Sequence, residues 1–388
     1  MRQRFVALAS VAVMAALLLG TGVPAAAQTT KAPAKASGPH RMADGHPDLQ
    51  GTYDLATLTP MERPSGAKLA LTKEEAAKRE AAAAKRREQG DQALQGDRPA
   101  PPKGGDGSIG PAGNVGGYNT GWLDPGSTYT VVNGEKRSSL VIDPPDGRVP
   151  PRTAPAASQG AAASARPTSV APEPDLAALV QRLLADSARP TSDAPESNDP
   201  GLERAPGAYD DPERRPLGER CLLGFGSTSG PPALPNYFYN NLHQIVQTPD
   251  AVMILTEMVH DARIVRMNAQ HLPKNIRQWM GDSVGHWEGD ALVVDTTNFT
   301  AKTRFRGSTP DLHVIERFTR VDDRTLLYRF TIDDPATWTK TWTGEYTWPA
   351  TDEHIYEYAC HEGNYSVTNI MKGARLREQE ATAAKAAK

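Results

Sequence analysis

The sequence has very few cysteines, no excess of either charge and low overall hydrophobicity. Only 2 of its 388 residues are cysteine, 43 Lys and Arg stand against 46 Asp and Glu, and the mean hydropathy is -0.52. Nucleic-acid binding requires a concentrated positive surface, which a formal net charge of -3 does not supply. The low hydropathy excludes a polytopic membrane protein, so we expect neither a nucleic-acid partner nor a bundle of membrane spans.

Signatures of metals and cofactors are also missing. The sequence contains neither H-x-H nor H-E-x-x-H, the spacings that place histidines around a metal ion. Gly224-Phe225-Gly226-Ser227 lacks the flanking strand and helix of a phosphate-binding loop or a nucleophile elbow. We therefore predict no cofactor and no metal. A divalent metal held by His260 and His313 together with Glu257 or Glu316 is the alternative, if the fold brings these residues together.

The first 27 residues are typical of an export signal. Arg2 and Arg4 precede an apolar run from Phe5 to Leu19, and Ala25-Ala26-Ala27 supplies small residues for cleavage. The pattern predicts a periplasmic or secreted protein with no membrane span after cleavage. A retained N-terminal anchor is the alternative, and the oligomeric state is left open.

Composition divides the rest of the chain into ordered and unordered parts. Residues 71–95 have helical composition but almost no apolar stripe, which indicates a solvated helix, and Asn133-Gly134 indicates a hairpin turn. Residues 152–206 are rich in Ala, Pro and Ser and predict a disordered insertion. The predicted parts are a signal peptide (1–27), a flexible tether (28–43), an N-terminal segment with the helix and hairpin that packs on the main domain (44–151), the insertion (152–206), a β domain (207–376) and a disordered tail (377–388).

The block from 207 to 376 has the pattern of short strands joined by tight turns. Trp338, Trp342, Tyr346 and Trp348 alternate with hydroxyl-bearing residues, as in a strand with one aromatic face. We interpret this face as core or sheet-packing surface, with a carbohydrate-binding platform as the alternative. With no helices between them, the strands predict a mainly β fold, an antiparallel meander that forms a lipocalin-like barrel, with a β-sandwich as the alternative. We expect residues 355–360 to form the last strand and residues 365–371 a short closing element.

The two cysteines favour a disulfide. An exported protein meets an oxidising compartment, so Cys221 and Cys360 are predicted to pair and to link the beginning of the β domain to its end. Two buried free thiols are one alternative. A metal-binding or catalytic thiol at Cys360-His361-Glu362 is another.

Five short motifs spread over most of the chain outside residues 152–206 resemble those of a large uncharacterised family of exported bacterial proteins, common in soil lineages. The resemblance implies an exported protein with this domain plan, and no activity or catalytic residue carries over from it. The motifs are Asp44-Gly45-His46-Pro47-Asp48-Leu49-Gln50-Gly51, Thr59-Pro60-Met61-Glu62-Arg63-Pro64, Asp143-Pro144-Pro145-Asp146-Gly147-Arg148, Trp287-Glu288-Gly289-Asp290-Ala291-Leu292-Val293-Val294 and Tyr358-Ala359-Cys360-His361-Glu362-Gly363-Asn364-Tyr365.

The densest polar cluster is Glu257-Met258-Val259-His260-Asp261-Ala262-Arg263, where one predicted strand turns into the next. An imidazole titrates near neutrality, so His260 is the main candidate for proton transfer. Glu257, Asp261 and Arg263 share one face of an extended backbone and are predicted to assist it, although a turn at residues 259–262 cancels that alternation. The alternative is a hairpin stabilised by an Asp261–Arg263 pair.

A second cluster, His313-Val314-Ile315-Glu316-Arg317, adds His313 and Glu316 to the catalytic candidates. The two residues have opposite parity in a strand, so they cannot act as an adjacent pair. They are predicted to contribute only if the fold brings them together with His260 and Glu257.

A third candidate is the segment Asn236-Tyr237-Phe238-Tyr239-Asn240-Asn241, which mixes aromatic rings with amide groups. Tyr237, Tyr239, Asn240 and Asn241 are predicted to line a pocket for a sugar-derived or aromatic molecule. An ordinary polar loop is the alternative.

These patterns favour an exported protein that binds a small organic molecule in a barrel cavity. Acid/base chemistry on that molecule favours an enzyme, either a lyase, an isomerase or a hydrolase. The alternatives are a non-catalytic periplasmic binding or carrier protein and an envelope-associated protein whose aromatic face meets a partner.

Overall fold

The computed structural model describes residues 40–90, 123–153, 207–224, 230–236, 239–303 and 305–386, with the side chains of residues 89, 90 and 260 excepted. The predicted signal peptide, most of the tether and nearly all of the insertion lie outside these ranges. In chain order the elements are β1 (Gly51–Asp54), α1 (Lys73–Gly90), β2 (Val131–Val132), β3 (Glu135–Lys136), β4 (Val141–Asp143), β5 (Leu242–Gln247), β6 (Ala251–Thr256), β7 (Ala262–Met267), β8 (Asp282–Glu288), β9 (Ala291–Thr297), β10 (His313–Asp322), β11 (Thr325–Asp333), β12 (Trp342–Thr351) and α2 (Ser366–Ala386).

Nine strands close into a barrel, which confirms the predicted fold class. The wall runs from β5 through each successive strand to β12, and β1 closes it by pairing with β12 on one side and β5 on the other. β4 pairs with the first part of β12, at Thr343 and Gly344, whereas β1 pairs with its last part. Closure leaves the wall without a free edge.

The strand order departs from a purely antiparallel meander at one place, where β7 and β8 are parallel. A parallel pair requires a connection that returns the chain to the end from which it came. Residues 268–281 make that return, and we call them the crossover loop. The barrel is therefore mixed.

Successive side chains along each strand point alternately into the barrel and out of it. On β11 and β12 the inward residues other than Gly344 are aromatic or large, and they join one continuous hydrophobic core. Trp342, Tyr346 and Trp348 are all 0 % exposed, which confirms the prediction that the aromatic row is core. The interior is thus filled mainly by the wall's own side chains.

The N-terminal segment packs on β12, where Thr130 bonds to Thr347 and Arg137 bonds to Glu345. Helix α1 begins with a capping box, in which Glu75 N donates to Thr72 Oγ1 and Thr72 N donates to a Glu75 carboxylate oxygen. The helix is solvated along most of its length, as predicted, but Ala76 is buried and Glu80 accepts hydrogen bonds from Tyr129 N and Lys136 Nζ. A few side chains therefore dock it.

The predicted Asn133-Gly134 turn is present, with φ values of 53° and 78°. It joins β2 to β3, so the hairpin is shorter than the sequence predicts, because residues 141–143 leave it to pair with β12 as β4. Both central residues occupy the left-handed region that Asn and Gly tolerate.

The end of the chain differs from the prediction. Residues 355–360 form no strand, because β1 already occupies the edge of β12 that a last strand needs. The predicted closing element and the first ten residues of the predicted disordered tail belong to helix α2, whose composition of Ala, Glu, Arg and Lys favours a helix. No residue of α2 is buried.

A disulfide joins Cys221 to Cys360, as the sequence predicts, with a Cα–Cα distance of 5.7 Å. It links the segment before the first consecutive barrel strand to the segment after the last one. Neither of the two described α-helices is both long and apolar enough to cross a bilayer.

Candidate functional site

A buried ion pair crosses the barrel interior. Arg263 on β7 and Glu316 on β10 are 4 % and 0 % exposed, and Arg263 donates from both terminal nitrogens to the two carboxylate oxygens. The hydroxyl of Tyr328 donates to Glu316 Oε1 over 2.8 Å. Burial, reinforced by the charge of Glu316, raises the pKa of Tyr328 well above its usual value, so this hydroxyl stays protonated. The two charges are therefore paired and further hydrogen-bonded, as buried charges require.

His243 on β5 is a second polar side chain in the interior. Its Nδ1 donates to the carbonyl oxygen of Asn241 over 3.2 Å, and its ring lies 5.5 Å from that of Trp348. Burial lowers the pKa of His243 to about 4, with a smaller contribution from the positive charge of Arg263. At neutral pH the ring is uncharged, and Nε2 faces the interior as an acceptor.

The outer face of the barrel carries a chain of four ionisable side chains, which we call the outer-face network. His313 Nε2 lies 2.9 Å from Asp295 Oδ2, and Asp295 Oδ1 lies 2.9 Å from His271 Nε2. His271 Nδ1 in turn lies 3.0 Å from Asp282 Oδ2. Because His271 is in the crossover loop, the network fastens that loop to β8, β9 and β10.

Charge stabilises the outer-face network. The hydrogen bond to Asp295 raises the pKa of His313, and it outweighs the opposing effect of burial. Burial works to raise the pKa of Asp295, but the hydrogen bonds and charges of the two histidines lower it below its usual value. Among the described residues no group of three or more His, Cys, Asp and Glu side chains is arranged to hold a metal ion, this network included.

The barrel end at which β5 begins and β6 ends, here called the mouth, carries buried carboxyl groups. Glu257 is 5 % exposed, and its carboxylate accepts hydrogen bonds from Leu242 N and Tyr356 N. Burial raises the pKa of Glu257 despite these bonds. The group therefore holds a proton to higher pH than a solvated glutamate.

Asp54, at the end of β1, is a second carboxyl group at the mouth with a raised pKa. Burial raises its pKa to about 6, the hydrogen bond from Ala56 N opposes the rise, and the negative charges of Asp124, Glu353 and Glu257 add to it. A carboxyl that titrates near pH 6 is suited to donate or accept a proton under mildly acidic conditions.

A groove of about 450 Å³ lies beside the mouth, between the segment that holds Cys221 and the segment that follows β12. Its volume is in the range of small-molecule sites. Its lining is rich in carboxylates and amides and includes Tyr358 and Cys360, one of the two disulfide-bonded cysteines. The lining residues are Gly218, Glu219, Asn240, Glu357, Tyr358, Ala359, Cys360, Glu362, Gly363, Asn364 and Ser366.

The structure separates the predicted catalytic residues. Glu316 and Arg263 meet inside the barrel, whereas His313 is on its outer face, which confirms the predicted opposite parity of His313 and Glu316. Glu257 lies at the mouth, and the left-handed φ of 61° at Val259 cancels the strand alternation between it and Arg263. The described members of the set therefore form no single acid/base site.

His260 and Asp261 end the 3-10 turn that joins β6 to β7. The backbone of His260 lies in that turn, and its side chain is outside the described part of the chain. The carbonyl oxygen of Asp261 accepts a hydrogen bond from Thr256 N. The proposed pair of Asp261 with Arg263 is replaced by the bond of Arg263 to Glu316.

Of the predicted ligand-binding residues that the structure describes, only Asn240 lines the groove. Tyr239 stacks on Tyr358, with ring centroids 6.4 Å apart. Asn241 is buried, and its amide is used internally, since it accepts from Asn236 N and donates to the carbonyl oxygen of Asp124. Tyr237 lies outside the described residues.

Sequence reasoning missed His243, His271, Asp282 and Asp295. Alternation places His243 on the inward face of β5, beside Ile245 and Gln247, and that signal was available. The outer-face network depends on the register between β9 and β10, in which Asp295 lies opposite Ile315, and on the course of the crossover loop. Neither is visible in local sequence.

No family model matches the chain, and no curated protein or solved structure is significantly similar to it. The resemblance to exported bacterial proteins therefore remains a prediction.

Proposed function

We propose that this is an exported protein that binds a small, hydroxyl-bearing organic molecule, such as a sugar derivative, in the groove beside the barrel mouth. The observation that carries the proposal is the groove itself, in which Asn240, predicted from the sequence to bind a ligand, lies beside a tyrosine ring and exposed carboxylates. Carboxylates and amides bind hydroxyl groups, and an aromatic ring packs on the apolar face of a sugar.

The barrel interior is a poorer place for a small ligand than the sequence predicts. Aromatic side chains and residues 230–236 of the chain itself fill it, and the inward carboxylate of Glu316 is already paired. In the groove, Glu357 and Glu362 are exposed, and no ion pair with either of them occurs in the described ranges. The groove therefore offers exposed carboxylate acceptors, whereas the inward carboxylate of Glu316 is already used.

Thermal-shift screening of neutral monosaccharides, disaccharides and sugar acids tests this proposal, followed by titration calorimetry of each hit. We expect Asn240→Ala to weaken the hit at least fivefold. Asn268→Ala is a matched control, because Asn268 has a φ of 52° against 54° for Asn240 and follows β7 at the opposite barrel end. Equal affinity for both variants, or no hit in the panel, contradicts the proposal.

Acid/base catalysis at the mouth is a second candidate function. The raised pKa values of Glu257 and Asp54 favour it, because a carboxyl that keeps its proton to higher pH than usual can act as a general acid under mildly acidic conditions. With a general acid at the mouth, the protein would be a lyase, an isomerase or a hydrolase, and its substrate would be among the compounds that bind in the screen. Product formation is expected to rise as pH falls toward 6, where Asp54 gains its proton, and to be abolished by Asp54→Asn. Wild-type turnover in Asp54→Asn overturns the assignment.

Export of the protein is supported by the disulfide, because such bonds persist in oxidising compartments. We expect the mature protein to begin after Ala27. Intact-mass measurement of protein from a bacterial periplasmic fraction checks this, and a mature chain that retains Met1 contradicts it.

A further inference from the structure

Seven consecutive residues, 230–236, are buried inside the barrel although they belong to no helix or strand. We call this segment, Gly230-Pro231-Pro232-Ala233-Leu234-Pro235-Asn236, the inner segment. Ala233 and Leu234 are 1 % and 7 % exposed and belong to the same core as the inward aromatic residues of the wall. A Cβ placed on Gly230 has Arg263 Nε as its nearest neighbour, at 4.0 Å. The inner segment therefore contacts inward-facing side chains rather than the outer surface.

Two tyrosines hold both backbone polar groups of one residue in the inner segment. Ala233 N donates to the hydroxyl of Tyr328 over 2.9 Å, and the hydroxyl of Tyr346 donates to the carbonyl oxygen of Ala233 over 2.9 Å. Tyr328 and Tyr346 are direct cross-strand partners on β11 and β12. The wall thus binds the N–H and the C=O of one residue through side chains, without strand pairing.

The composition of the inner segment suits this environment. Three of its seven residues are proline, which has no backbone N–H, so that fewer donors need a partner in an aromatic cavity. Aromatic-lined grooves are a recurrent way of binding proline-rich peptides. The cavity and its occupant are therefore chemically matched.

A second observation is independent of the inner segment's own hydrogen bonds. Within the described ranges, the buried atoms His243 Nε2, Trp348 Nε1 and Trp342 Nε1 have no hydrogen-bond partner. Two of these atoms are donors, and the uncharged ring of His243 offers an acceptor. Buried polar groups are normally paired, so the wall has more hydrogen-bonding capacity than the inner segment uses.

We propose that the barrel interior is a binding site for proline-rich peptide segments, and that residues 230–236 occupy it as an intramolecular ligand. A proline-rich segment of another protein binds there when the inner segment leaves. Departure breaks side-chain contacts, the two tyrosine hydrogen bonds and the hydrogen bonds of Asn236 to Asn241 and Tyr239. It breaks no strand pairing, so the barrel wall stays closed. This site is distinct from the groove and does not depend on the function proposed for it.

Fluorescence anisotropy with a labelled synthetic peptide of sequence Gly-Pro-Pro-Ala-Leu-Pro-Asn tests the proposal on the full chain. Leu234→Asp weakens docking of the inner segment, so we expect this variant to bind the peptide at least tenfold more tightly than the wild type. A peptide with N-methylated alanine, which lacks the N–H that meets Tyr328, is expected to bind at least fivefold more weakly. Tyr346→Phe added to Leu234→Asp is expected to cost about 3- to 10-fold, the loss of one neutral hydrogen bond.

Val132→Asp is the matched control, because it also places a charge at a buried aliphatic position, in the outer hairpin rather than the barrel. It is expected to bind the peptide no better than the wild type. Equal binding by the two aspartate variants, or a folded Leu234→Asp variant that does not bind, overturns the proposal.

Hydrogen exchange of the wild type gives a readout that needs no destabilised variant. The amide of Ala233 is expected to exchange at least tenfold faster than the amides of β11 and β12, because the inner segment leaves without unfolding of the wall. Exchange of Ala233 at the same rate as these strands means that the segment opens only with global unfolding, and this result overturns the proposal even if Leu234→Asp does not fold.

Discussion

The buried imidazole of His243 couples folding to pH. In the unfolded chain a histidine titrates near pH 6.5, whereas burial lowers the pKa of His243 to about 4 in the folded protein. Between these values the unfolded state binds a proton that the folded state does not, so stability is full above the unfolded pKa and is lost as pH falls toward 4. From pH 7.5 to 4.5 this group alone costs about 2–3 kcal/mol.

Urea denaturation at these two pH values measures the coupling. The acid-induced loss of unfolding free energy is expected to be smaller in His243→Gln than in the wild type by about 2 kcal/mol, on the basis of the same linkage. His354→Gln, at an exposed position, is the control and keeps the wild-type loss. An unchanged acid response in His243→Gln is incompatible with a neutral buried ring.

The ion pair of Arg263 and Glu316 makes an asymmetric contribution to stability. Arg263→Met leaves the Glu316 charge buried without its partner, which costs about 3–5 kcal/mol. The double variant Arg263→Met/Glu316→Leu removes both charges and is expected to be more stable than Arg263→Met alone. Chemical denaturation of the four members of this cycle gives the coupling energy, and additive losses exclude a direct interaction.

Single residues also show how far sequence reasoning reaches. Period-two alternation correctly placed His313 and Glu316 on opposite faces of one strand, because that property is local. Their partners, Asp295 and Arg263, are set by strand register and barrel closure, which depend on contacts across many residues. The faces of the candidate residues were predictable, but the sites they form were not.

At the scale of elements, β1 determines whether the barrel closes. It is only four residues long and precedes β5 by almost 190 residues, yet it is the strand that seals the wall. Arg320 holds this end of the chain by donating to the carbonyl oxygens of Asp48 and Gln50 and to the hydroxyl of Tyr53. A short strand with such a clamp depends on side-chain contacts as much as on its ladder.

We expect Arg320→Ala to release β1 while the consecutive strands remain paired. The loss of these three hydrogen bonds costs about 2–4 kcal/mol locally, because they are at most partly buried. Hydrogen exchange is expected to accelerate at Thr52 and Tyr53 and to stay unchanged in β8 and β9. Arg324→Ala, an exposed arginine that bonds to Ala350 O from the adjacent turn, is the control, and equal acceleration in both variants refutes a specific clamp.

The consecutive strands of the barrel were predictable, because each is bounded by turn residues and alternates in polarity. Residues 355–360 carry a similar signal but have no free edge to join, since β1 occupies it. Closure by a strand from the N-terminal segment and the parallel pair of β7 and β8 are topological facts that no local pattern encodes.

At the scale of the whole molecule, the disulfide connects the two segments that form the groove. Cys221 and Cys360 are separated by 139 residues, and all the consecutive barrel strands lie between them. Closing a loop of this length stabilises the folded state by about 5 kcal/mol through the unfolded chain. The bond also fixes the segment that holds Glu357 and Tyr358 beside Gly218 and Glu219.

We expect the double variant Cys221→Ser/Cys360→Ser to keep the barrel and lose the groove. The strands pair with one another without help from the bond. Residues 352–365 contain no strand or helix, and only the bond and a few hydrogen bonds and ring contacts hold them at the mouth. Hydrogen exchange in residues 352–365 is expected to rise at least tenfold while β9, β10 and β11 keep their wild-type protection in conditions where the variant is folded. Reduction of the wild type is the matched control and is expected to give the same pattern. Uniform acceleration across the barrel strands shows instead that the disulfide supports the fold as a whole, and in that case the groove is not an independently held site.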